Sequence, residues 1–223
     1  MADMDRESGT DKREPAGLGH YTTVEGCAQA EIIEKKSRFI ASVAHVETED
    51  EAIAFIDTVK ADHRMARHYV YAYVLREGGR VRYSDDGEPQ KTAGLPTLDV
   101  VRHAGLTDVI IVTTRYFGGV LLGTGGLVRA YTAAAQAGIE NAKLAVVSRC
   151  IDVRVALPYS LFEQASRSAD ACGAKIVQSE FSEEVHLAFR LLAGTEHPLV
   201  EKLSELSRGS ASIEVSELFD AAF

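Results

Sequence analysis

Residues 113–131, TTRYFGGVLLGTGGLVRAY, set five glycines between two arginines directly ahead of a helical pattern. Gly118, Gly119, Gly123, Gly125 and Gly126 allow positive φ and close approach to another backbone or a ligand. Where such a loop opens a helix, unpaired N–H groups and the positive end of the dipole favour an anion. Arg115 and Arg129 would clamp a phosphate from either side. The same residues also fit a tight strand-to-helix connection with no ligand. A second cluster, Asp85, Asp86 and Glu88 in SDDGEP, has the opposite sign and is followed by Lys91. If the two clusters face each other, two readings stand. Arg115 or Arg129 pairs with Asp85 or Asp86 and holds the turn against the loop. Alternatively, the carboxylates hold magnesium that bridges to a phosphate on the glycines. His68 opens a strand near this turn and is the histidine best placed for acid/base work.

Other chemistries find less support. The loop is no Walker A motif, because Leu127 rather than Lys follows Gly126. No Ser/His/Asp or Cys/His set assembles around Ser84 or the cysteines. Cys27, Cys150 and Cys172 are widely spaced and form no CxxC, which argues against a disulfide framework or zinc. No cofactor and no metal ligand set is assigned.

The elements that must position these groups follow from periodicity. Residues 23–34 and 38–46 read as a hairpin turned at Lys35, Lys36 and Ser37. Thr48 and Glu51 form a capping box for a helix with Ala52, Phe55, Ile56 and Val59 on one stripe, ending near His63. Residues 68–75 alternate as a strand, with Tyr69, Tyr71 and Tyr73 on one face. That face packs on a helix or serves as a base-stacking platform. Pro96 suits the first turn of a helix ending near Ala104. Residues 108–114 form a buried strand that feeds the glycine loop. Thr124 or Gly125 caps the helix carrying Leu127, Tyr131, Ala134 and Gly138.

The last eighty residues give a strand at 150–157, then a helix capped by Ser160 and Glu163. A hairpin at 175–181 and 185–191 follows, then a helix begun by Pro198 and a strand at 213–218. This βαββαβ order is that of a ferredoxin-like fold. His186 and His197 stand alone there, and no catalytic group is identified. The expected organisation is α+β, with a disordered tail at 1–19, a first domain at 20–143 and a ferredoxin-like domain at 144–223. The tail expectation rests on mixed charge, Gly and Pro without an apolar period.

Charge and hydropathy bound the partners. The net charge is −9, and residues 145–223 hold seven basic against twelve acidic side chains. A general grip on nucleic acid therefore belongs to the middle of the chain, while the acidic C-terminal part suits a basic protein partner. No apolar run approaches the roughly 20 residues of a membrane span, so a cytoplasmic protein without membrane contact is expected.

Taken together, KKSRFIA at 35–41, AYV at 72–74, YSDDGEP at 83–89, TAG at 92–94, TRYFGG at 114–119 and LLGTGGLVRAY at 121–131 resemble the YigZ/IMPACT family. The resemblance covers about 20–143 and implies, for that part, the βα fold shared by a small-subunit ribosomal protein domain and domain IV of elongation factor G. It implies a ferredoxin-like second domain of the kind bacterial members carry. Two departures stand out: Tyr69 and Val70 follow His68 where an HNC-type sequence is usual, and Lys91 stands where Gly is usual. A role for that Asn or Cys does not transfer. The residues carried over are His68, Asp85, Asp86, Arg115 and Arg129. In eukaryotes the family is linked to translational control, so the resemblance implies regulation of translation or of a stress response through RNA or ribosome contact, without catalysis. A magnesium-dependent enzyme acting on a phosphorylated or nucleotide substrate and a protein-interaction module are the competing readings.

Overall fold

The structure, a computed structural model, describes residues 19–223. The tail expected at 1–19 lies outside the described residues but for Gly19. The chain divides into two compact units, the first of residues 21–147 and the second of residues 148–221. Both are mixtures of helices and antiparallel strands. Among the described residues no helix is long and apolar enough to cross a membrane.

In the first unit, β1 (His20–Val24), β2 (Cys27–Glu34), β3 (Ser37–His45), α1 (Glu49–Asp62), β4 (His68–Val74), β5 (Val81–Ser84), α2 (Gly94–His103), β6 (Val109–Tyr116) and α3 (Thr124–Glu140) follow in order. The single strand expected at 23–34 is two, because Gly26 turns the chain at φ 68°. The β2–β3 hairpin turns where expected, with Lys35 and Lys36 both at positive φ, the geometry whose twist matches a two-residue hairpin. Five strands form one antiparallel sheet in the order β2-β3-β6-β4-β5.

Strand β6 is central and buried on both faces, which explains its unbroken apolar run. Val109 and Ile111 pack with Val101, Leu127, Tyr131 and Ala134 of α2 and α3. Ile110 and Val112 face the other way, with Ala52, Ile56 and Val59 of α1. The tyrosines of β4 belong to this second face. Tyr73 is buried, Tyr69 and Tyr71 pack against the same cluster, and the Tyr73 hydroxyl donates to Glu49 Oε1 at 2.8 Å. The tyrosine row is therefore a helix-packing face.

Helix α1 begins as its sequence dictates: Glu51 N donates to Thr48 Oγ1 at 3.2 Å. The return bond of the capping box goes one residue earlier, from Glu47 N to Glu51 Oε2 at 2.7 Å.

Strand β7 (Leu144–Leu157) runs out of the first unit into the second, which continues with α4 (Phe162–Ala171), β8 (Lys175–Phe181), β9 (Val185–Leu192), α5 (His197–Leu206), β10 (Ile213–Val215) and β11 (Phe219–Ala222). β9 lies between β7 and β8, and β10 and β11 both pair with β7. The succession from β7 to β10 is β, α, β, β, α, β, and β11 is an added strand. Ile151, Val153, Val155 and Leu157 of β7 enter a core with Ala165, Phe189, Leu199 and Leu203. Ser160 does not cap α4. Residues 159–161 form a turn of 3-10 helix, and α4 starts behind Leu161 without a side-chain cap.

A pocket in the first unit at the start of the glycine-loop helix

Three strand ends and one helix start converge in the first unit. Pairing of β4 with β6 sets His68 opposite Arg115, and pairing of β3 with β6 sets Phe39 opposite the same arginine. Beyond Tyr116 the chain turns into the glycine loop. Gly118 passes so close to the β2–β3 turn that a Cβ would lie 2.0 Å from the Lys36 carbonyl carbon. Its N–H donates to Ser37 Oγ at 3.1 Å. The glycine here lets two backbone segments meet. Gly119 takes φ 83°, a left-handed value that favours glycine.

Helix α3 is capped ahead of both expected positions, one residue before Thr124 and two before Gly125. Its N-cap is Gly123, at φ 72°, and the first helical bond runs from Leu127 N to Gly123 O at 2.9 Å. Thr124, Gly125 and Gly126 thus present N–H groups ahead of the first bond. The cap has no side chain, and the first turn has no acidic residue. Arg129 is exposed, and a Cβ on Gly125 would sit 3.7 Å from its Nη1. A cation is thus parked beside the positive end of the helix, where an anion is the favoured neighbour.

The acidic cluster does not pair with the arginines as the sequence suggested. Asp85 caps α2 from a distance: its Oδ1 accepts from Ala93 N at 3.0 Å and Gly94 N at 2.8 Å, and its Oδ2 accepts from Lys91 N at 2.8 Å. Asp86 takes the Tyr69 N–H at 2.6 Å. Short carboxylates in a turn reach nearby backbone donors first. The arginine's partner is instead Glu88, with Arg115 Nη1 at 2.5 Å from Glu88 Oε1. Arg129 meets neither aspartate. The three carboxylates point to three separate partners, and no group of three metal-ligating side chains converges among the described residues. The magnesium reading therefore loses its ligand set.

Glu88 and Arg115 are buried, at 9% and 6% exposure. The Tyr131 hydroxyl donates to the same Glu88 Oε1 at 2.9 Å. Burial, followed by the charge of Glu88, drives the Tyr131 phenol far above its ordinary range. Arg115 Nε remains buried without a partner among the described residues. His68 Nε2 lies 3.9 Å from Glu88 Oε1, and its Nδ1 is 2.8 Å from the Asp86 carbonyl. A carbonyl only accepts, so Nδ1 carries the proton and Nε2 of the neutral ring is an acceptor. Tyr131 had read only as part of an apolar stripe. Its hydroxyl was the available signal, since a buried phenol needs a partner.

This network floors a pocket of about 460 Å³. Glu88, Arg115 and His68 line one side. Phe117, Leu121 and Leu127 supply apolar wall, with Gly123 and Thr124 at the helix start. Leu121 is 82% exposed and Phe117 half-exposed. Arg67 also lines the pocket, with its guanidinium 5.9 Å from the Phe117 ring centre. Of the predicted residues, the structure brings His68, Glu88, Arg115 and the start of α3 together. It sends Asp85 and Asp86 into backbone capping, and it leaves Lys91 exposed at φ 61° in the turn Asp85 holds.

Residues 35–139 match the model of the Impact N-terminal domain. The chain is 34% identical over 204 residues to IMPACT family member YvyE of Bacillus subtilis, covering 90% of this chain and 93% of that protein. It is 34% identical over 182 residues to IMPACT family member YigZ of Escherichia coli, covering 80% of this chain and 89% of that protein. A crystal structure of a hypothetical protein superposes with a TM-score of 0.58 at 31% identity, over 89% of this chain and 98% of that one.

Proposed function

The chain belongs to the IMPACT family, and from that premise we propose that it is a non-enzymatic cytoplasmic regulator of translation or of a stress response, acting through RNA or ribosome contact in its first unit. The observation that carries this reading is the start of α3. Free N–H groups, a first turn without acid and the exposed Arg129 beside Gly125 make a place for phosphate. Exposed Lys91, Lys35 and Lys36 add positive charge in the same unit. Arg115 contributes less to such a surface than the sequence suggested, because Glu88 already neutralises it.

The test is co-sedimentation of the full chain with ribosomes or total RNA at low salt, where phosphate contacts are strongest. Arg129→Ala combined with Lys91→Ala should weaken retention and flatten its salt dependence. Unchanged retention and slope would remove the proposal.

A further inference from the structure

The pocket holds two features that a phosphate-binding surface does not need: hydrogen-bond acceptors on its floor and an apolar wall. Both Arg115 and Tyr131 bond to Glu88 Oε1. Glu88 lines the pocket and its Oε2 has no hydrogen bond among the described residues, which leaves that oxygen as a spare acceptor beside the pocket. His68 gives the other acceptor, Nε2, when its ring is neutral and Nδ1–H donates to the Asp86 carbonyl. The floor thus offers two acceptors, one of them anionic. Its own cation is already paired with Glu88, while the buried Arg115 Nε still lacks a partner. Beside this floor stand the half-exposed ring of Phe117 and the side chains of Leu121 and Leu127. At the rim lie the open N–H groups of α3 and the exposed Arg67.

From this arrangement we infer that the pocket binds one unstacked nucleotide whose base edge carries two adjacent donors, as guanine does. The base lies against Phe117 and Leu121, a sequence-tolerant contact for any base. Its N2–H group donates to Glu88 Oε2 and its N1–H to His68 Nε2, which selects guanine, because adenine and the pyrimidines cannot offer that pair. Its phosphate takes the N-terminus of α3 and Arg67. The volume suits a nucleotide and falls within the range of small-ligand sites. The inference rests on the RNA reading above when the nucleotide is part of a strand. A free guanine nucleotide presents the same chemistry.

Isothermal titration of the full chain with GMP, IMP, XMP and inorganic phosphate tests it. IMP lacks the 2-amino donor, and XMP puts an acceptor in its place. GMP should bind about tenfold tighter than IMP, the worth of one charge-assisted hydrogen bond, and XMP should bind more weakly still. Phe117→Ala, on a half-exposed side chain, should weaken all the nucleotides without changing their order. Glu88→Gln, with its melting curve checked for folding, should shrink the gap between GMP and IMP. Competition by UUGUU but not UUUUU would assign the site to an RNA guanosine, and competition by neither would assign it to a free nucleotide. Equal affinity for GMP, IMP and XMP, phosphate binding as tight as GMP, or no nucleotide binding at millimolar concentration would each overturn the inference. Should no nucleotide bind while ribosome retention still depends on Arg129 and Lys91, the pocket inference fails and the functional proposal stands.

Discussion

Arg115 and Glu88 form a buried ion pair at 2.5 Å, although 27 residues separate them in sequence. Each ion has lost most of its water, so either one left alone is costly. Glu88→Ala should lower the unfolding free energy in urea by about 3–5 kcal/mol. Arg115→Met with Glu88→Leu should recover much of that loss, because the double variant strands no charge. A double variant as unstable as Glu88→Ala would show that the pair's hydrogen bonds to its surroundings matter more than its charge balance.

Asp85 acts on α2 as a cap supplied from outside the helix, bonding to the Ala93 and Gly94 N–H groups. Asp85→Ala should destabilise the protein by about 1–2 kcal/mol, the upper range for a lost cap. The loss should persist at high salt, since the bonds are short and local. A loss that vanishes in molar salt would mark Asp85 as a surface charge instead.

The glycines of the loop should respond differently to alanine. At Gly118 the new Cβ would meet the Lys36 backbone at 2.0 Å, and backbone cannot step aside as a side chain can. Gly118→Ala should cost about 1–3 kcal/mol by overpacking. At Gly125 the nearest atom is the Arg129 tip at 3.7 Å, and the helical backbone accepts alanine. Gly125→Ala should be neutral or stabilise by up to about 1 kcal/mol. Thermal melts of the two variants decide this directly.

Alkali should unfold the first unit through its tyrosines. Burial, then the Glu49 hydrogen bond, pushes the Tyr73 phenol from 10.0 up to about 12, and Tyr131 is raised further. A folded value above the unfolded one means the proton binds the native state more tightly. That stability is complete below pH 10.0 and declines as pH rises through about 12. Urea midpoints measured across this window should fall, and Tyr73→Phe should flatten part of the decline. A midpoint independent of pH there would contradict the burial of these hydroxyls.

The elements that were legible in the sequence depend on local rules. Thr48 three residues before Glu51, Lys35 and Lys36 between two alternating runs, and Pro198 at a helix start each act within a few residues. Several residues of the family motifs, among them Glu88, Arg115, Phe117 and Leu127, line the pocket. The partners inside it were not legible, because Glu88, Arg115 and Tyr131 meet only after a five-stranded sheet has closed and α3 has docked. Charge alone nominated Asp85 and Asp86 for the arginines. Their short side chains reach backbone N–H groups first, and the longer Glu88 reaches the buried guanidinium. Ser160 illustrates the opposite failure: its spacing to Glu163 suits a cap, but the chain enters α4 through a 3-10 turn.

Strand β6 has hydrogen-bonded neighbours on both edges and helices over both faces. Its amide protons should exchange with deuterium only through opening of the whole unit. Arg115 therefore stands at the end of a doubly paired, doubly covered strand, while the loop after Tyr116 lies outside any strand. One edge of the pocket should open only with the whole unit, and the other in more local events. Exchange at the start of α3 can thus report on a bound ligand without interference from the strand beneath it.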